Sequence, residues 1–246
     1  MSRFNDSEDP RRRLLLQALA SGLLAGAVPA QRATAGWFGD SPSVLPPGRS
    51  IQTLEGKVLV NGAPATLGTR IAATDVIETG DDGHIIFVVG KDAFLLRHNS
   101  KLVLTPEMVN KGVGESIVGT MRLLAGRLLT VFAKRSHAIE TPTVVVGVRG
   151  TGVYLEVNPE ETYFCTCYGL VDLRATADKN SRETIESQHH DKPRYITARA
   201  SGGRFIRPAP FKNHNDHELM LLEEIVGRTP PFVFPGGDYS APRREY

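Results

Sequence analysis

The chain has 246 residues, 41% apolar and 23% charged, with 24 glycines and 16 prolines. That length holds one large domain or two small ones with ample core, and the ordinary balance of residues excludes wholesale disorder and fibrous repeats. Lys and Arg number 29, five of them before Gly36, and Asp and Glu number 27, three of them before Gly36. Beyond the first 35 residues the two signs therefore balance at 24 each, and the basic footprint of a nucleic-acid-binding protein is absent.

The chain opens with a leader. Arg11-Arg12-Arg13 precedes the apolar run Leu14 to Ala30, and Ala33-Thr34-Ala35 supplies the small residues a signal peptidase accepts. Arg12-Arg13 followed by Leu14-Leu15 fits the twin-arginine pattern. Residues 1–35 are therefore expected to be a secretory signal cleaved after Ala35, with the twin-arginine translocase and signal peptidase as export partners and the periplasm as destination. That route carries proteins already folded, some of them with a cofactor inserted.

Residues 36–49, with Pro42, Pro46 and Pro47, read as a linker. From residue 50 to 175 short apolar runs alternate with turn residues, beginning at Val58-Leu59-Val60, where Asn61-Gly62 suits a tight hairpin. About ten short strands spaced by such turns indicate an all-β domain, either a sandwich or a solenoid-like stack. Residues 176–246 are expected to form a loop-rich C-terminal extension, polar over 178–213. It contains one α-helix at about 216–226, with Asn215 as N-cap, Glu218 three residues on, and Gly227 just past the end.

Several ordered words in the β region carry a resemblance. Val76-Ile77-Glu78-Thr79-Gly80, Asp82-Gly83, Asn99-Ser100, Leu123-Leu124-Ala125-Gly126-Arg127 and Thr141-Pro142-Thr143 lead to Val148-Arg149-Gly150-Thr151. The segment from about Ser50 to Leu173 resembles the FecR domain, with Arg149, Gly150 and Thr151 its most specific word. The resemblance implies a non-catalytic envelope module that senses, regulates or scaffolds through contacts with an envelope protein partner. Only about ten residues precede Arg11, which departs from the anti-sigma segment and membrane helix that precede this domain in the regulator itself.

Cys165-Thr166-Cys167 holds the only two cysteines, and strand alternation places both on one face. Three readings stand: buried structural thiols, a disulfide, or a pair of metal ligands. An extended i,i+2 pair has Cα atoms about 6.6 Å apart, near the limit for a disulfide, with Cβ atoms too distant unless the strand kinks. His189, His190, His214 and His217 cluster after the β region, and two thiolates with two imidazoles suit zinc or another transition-metal ion. His214 and His217 are expected to share a face at the start of the helix. Gly147 to Gly152 superficially resembles a phosphate loop but has no helix after it, so bends or bulges explain its glycines. Arg149 is expected to bury its guanidinium. No nucleophile elbow or HExxH is present, and the chain reads as a non-enzyme.

Overall fold

The computed structural model describes residues 44–107 and 118–232, all within the compact unit Pro42–Tyr246. The expected leader and the expected linker up to residue 43, and residues 233–246, lie outside the described residues. Among the described residues the fold is all-β with one helix. Fourteen strands form one continuous open sheet. They are β1 (Ile51–Glu55), β2 (Val58–Val60), β3 (Ala63–Pro64), β4 (Val76–Thr79), β5 (His84–Val89), β6 (Asp92–Leu96) and β7 (Lys101–Pro106). After these come β8 (Val118–Val131), β9 (Ser136–Glu140), β10 (Val144–Val157), β11 (Glu161–Ala175), β12 (Arg182–Ser187), β13 (Arg194–Ser201) and β14 (Arg204–Pro208). The expected hairpin at Asn61-Gly62 joins β2 to β3, both turn residues at positive φ. Among the described residues no helix is long and apolar enough to cross a membrane.

Three long strands bend and serve two halves of the sheet. Up to Ala125, β8 pairs with β7, and from Gly126 onward with β10. Gly126 has φ 93°, and a Cβ there would sit 2.0 Å from Ser100 Oγ, so only glycine lets the strand turn against β7. β10 pairs with β9 up to Arg149 and with β8 from Gly152, across a bulge. β11 pairs with β13 over Glu161 to Phe164 and with β12 from Gly169, whose φ is 94°. Ile77, Leu102, Met121, Val146 and Val171 of one half share a core with Phe87, Phe94, Leu128, Leu155 and Phe164 of the other. One core between two halves of a folded sheet is sandwich packing, with strands crossing at bends, and not a solenoid stack.

Two sequence expectations change here. Residues 178–213 carry three strands and not mainly loop. Arg182, Thr184 and Glu186 of β12 face solvent while Ile185 and Ser187 are buried, so the charged residues that suggest a loop are the outward half of an alternating strand. Gly202-Gly203 is the β13–β14 hairpin. Arg149 is exposed: alternation that turns Val148 into the core turns Arg149 out, while Thr151 beyond the bend is fully buried.

The helix α1 (Asp216–Ile225) forms as expected, with Asn215 and Glu218 closing a reciprocal capping box and Gly227 at φ 72° beyond its end. Its Leu219, Leu222 and Ile225 pack on Ile86, Leu95, Leu129 and Tyr154, forming a second core on the outer face of the sheet. Burying each of these three stabilises the docked helix by about 1.5–3 kcal/mol. Arg97 on the body pairs with Glu218 at 2.6 Å. Over β10 and β11, Val153, Leu155 and Phe164 face the first core, while Tyr154, Tyr163, Cys165 and Cys167 face the helix side.

A buried ion cluster braces β6. Asp92 is fully buried, bonded by Ala133 N–H at 2.9 Å and Arg135 Nη2 at 2.6 Å, with His137 Nε2 at 3.1 Å. Burial alone would raise its carboxyl, but the His137 contact, the Ala133 amide and the Arg135 charge outweigh it and hold the carboxyl below its ordinary range. Its pairing is therefore fully in place above the unfolded value of 3.8 and is lost as pH falls through the lower folded value. Asp92→Asn should lower stability at neutral pH by about 3 kcal/mol. Denaturant titrations should show the gap to the parent narrowing below about pH 4.

Candidate metal centre

Cys165 and Cys167 sit on β11, where Cys165 pairs with Tyr154 of β10. From Thr162 to Tyr168 every residue of β11 is buried, because one face meets the shared core and the other is covered by the extension. Both thiols have zero exposure. They are free, in line with the extended i,i+2 spacing that keeps their Cβ atoms apart.

A loop delivers the first imidazole. Asp191 Oδ2 accepts from Gln188 N–H at 2.9 Å, and Ser187 Oγ accepts from Asp191 N–H at 3.0 Å, which closes the β12–β13 connection. His190 is held there at φ 56°, a conformation non-glycine residues seldom adopt, and its backbone N–H donates to the Cys167 carbonyl at 2.8 Å. His190 Nδ1 then lies 3.7 Å from Cys165 Sγ.

The second imidazole comes from the run into α1. Glu156 anchors that run through Lys212 Nζ at 2.9 Å and Asn213 Nδ2 at 2.6 Å. His214 stacks on Tyr154 with centroids 4.4 Å apart and brings Nε2 to 3.0 Å from His190 Nδ1. Cys165, Cys167, His190 and His214, all buried, place one ligand atom each within 4.8 Å of all the others. A tetrahedral zinc site requires ligand–ligand separations of about 3.3–3.8 Å.

The outer nitrogens fix how the rings are turned. His190 Nε2 lies 2.8 Å from Asp216 Oδ1, and His214 Nδ1 lies 2.8 Å from the Lys212 carbonyl. Both partners are acceptors, so each outer nitrogen is placed to donate, and the inner nitrogens, Nδ1 of His190 and Nε2 of His214, face the thiols. The two inner nitrogens lie 3.0 Å apart, a separation that either a shared proton or a metal cation beside them accommodates. With protons alone, the cluster resolves this as a thiolate beside an imidazolium. Burial raises a thiol, but hydrogen bonds from Cys167, His190 and His214 hold Cys165 well below the ordinary thiol range. Burial beside that thiolate pushes Cys167 well above it. Burial opposes charge on His190, yet Cys165 and Asp216 raise it overall.

The other two histidines part from the four. His189 Nε2 bonds the same Asp216 oxygen at 2.9 Å and forms, with His190 and Asp216, a second group of candidate ligands separate from the cysteines. His217 is exposed and belongs to neither group of candidate ligands. The helix begins at its N-cap Asn215, so His214 precedes it and the i,i+3 face shared by helical residues does not exist. Sequence reasoning missed Asp216. Its signal was an acid in the first turn of a capped helix, which the helix dipole favours on its own account.

No known family matches the chain, and no curated protein matches it. Among solved structures, two crystal structures of a candidate anti-sigma factor from Parabacteroides distasonis ATCC 8503 are similar, with TM-scores of 0.41 and 0.40. Each is 8% identical, and the match covers 55% of this chain and 58% of that one, so the chain spans under two thirds of that protein's length.

The burial of the pair sets its reactivity. A thiol reagent should modify neither cysteine in the folded chain and both after denaturation. Two thiols titrating in the native chain would contradict this geometry.

Proposed function

We propose that this chain is a non-catalytic metal-binding module of FecR-like architecture, exported to the periplasm, in which Cys165, Cys167, His190 and His214 hold one divalent tetrahedral ion of the zinc class. The observation that carries the reading is the pair of inward-facing imidazole nitrogens 3.0 Å apart above a buried thiol pair. Two thiolates and a dication make a neutral complex, the charge state a buried site tolerates best. Four protein ligands leave no open position for substrate, which is the mark of a structural zinc site. A buried thiolate also has no route to a substrate, which weighs against a cysteine nucleophile.

The FecR-like words support the architectural part. Gly126 and Gly150 lie at the bends of β8 and β10, and Thr151 is buried beside the second bend. The words therefore fall where the fold needs particular residues. The twin-arginine leader supports export of a chain folded around its ion. In this role the module acts through an envelope protein partner.

Elemental analysis of full-length protein purified without added metal should find close to one zinc per chain. Cys165→Ser/Cys167→Ser should remove it while the far-ultraviolet spectrum stays β-rich. Asp216→Asn should weaken zinc affinity about 10–100-fold, because the carboxylate orients His190 and raises its basicity. Absence of metal from the purified chain, with no uptake on adding zinc, would overturn the reading.

A further inference from the structure

The four ligands are closed off by a cover made of residues 209–228, and the cover carries one ligand itself. His214 precedes α1 directly, and Asp216, which holds His190, is the first residue of the helix. His190 and His214 are 5% and 4% exposed and both cysteines are fully buried, so a competing ligand has no direct approach to the centre. The cover docks through contacts other than the ligands themselves. Leu219, Leu222 and Ile225 fill the second core, Arg97 pairs with Glu218, and Tyr168 hydroxyl donates to Glu223. Arg228 closes the far end, with Nε on Glu223 at 2.5 Å and Nη1 on the Lys91 carbonyl at 2.6 Å.

We infer that α1 is the gate of the metal centre: the ion enters and leaves only when the helix lifts off the outer face of the sheet, carrying His214 and Asp216 with it. This rests on the metal-binding reading above. Lifting the cover breaks the His214 bond and frees His190 from Asp216 in one motion, whereas the two thiolates stay on β11, inside the sheet ladder. The cover is therefore a local unfolding unit, and its docking energy sets the lifetime of the bound ion independently of the ligands. The arrangement gives the module slow exchange, so it retains its ion when free metal is scarce. Weakening α1 at a residue that is not a ligand converts it into a fast exchanger of unchanged ligand set.

The test is zinc release from full-length protein loaded with one equivalent, followed with a chromogenic chelator. The expected result is a first-order release whose rate does not change over a tenfold range of chelator. Leu222→Ala, which empties a packed position of α1, should speed release at least about tenfold while zinc still binds one to one. Arg97→Gln, which removes the ion pair at the start of the helix, provides a milder variant should Leu222→Ala fail to fold, and should speed release several-fold. Release that rises in proportion to chelator, or the parent rate in a folded α1 variant that binds one zinc, would overturn the gate and leave the metal site standing. A parent chain that takes up no zinc overturns the metal reading and the gate together.

Discussion

Over Thr162 to Tyr168, β11 is a strand without a solvent face, and the rest of the structure is arranged around that constraint. A central strand buried on both sides must fill two cores with opposite parities of side chain. Phe164 serves the shared core, and Tyr163, Cys165 and Cys167 serve the outer one. The outer face can remain dry only if something covers it, and that is the task of residues 209–228. Two thiols at zero exposure beneath a cover bearing histidines make the extension part of the same chemical unit as the β domain.

Charge carries the proposal for what the buried cluster holds. Asp216 and the Lys212 carbonyl face the outer nitrogens of the two rings, leaving the inner nitrogens beside Cys165, whose thiol is held low. A dication satisfies the four donors with no net charge. The alternative, a thiolate–imidazolium pair, leaves separated charges in a low-dielectric interior at greater cost. Polar second contacts of this kind orient ligands wherever a metal is bound.

Much of this was legible in the sequence. The hairpin at Asn61-Gly62, the capped helix at Asp216–Ile225 and the shared face of Cys165 and Cys167 follow from turn chemistry, capping and period-two alternation. The strands of the extension were not, since Arg182, Glu186 and their like mark only the outward half of an edge strand. Which histidines meet the thiols was illegible too, because it depends on a left-handed residue at His190 and on where the helix starts relative to His214. Both are settled by hydrogen bonds to Asp191 and Glu156 that no local pattern announces.

X-ray absorption at the zinc edge of the full-length chain tests the central claim most directly. The account predicts two sulfur neighbours at about 2.3 Å and two nitrogen neighbours at about 2.0–2.1 Å, with the outer-shell scattering of imidazole rings. A first shell of oxygen and nitrogen alone would contradict it, since the ion would then lie away from Cys165 and Cys167.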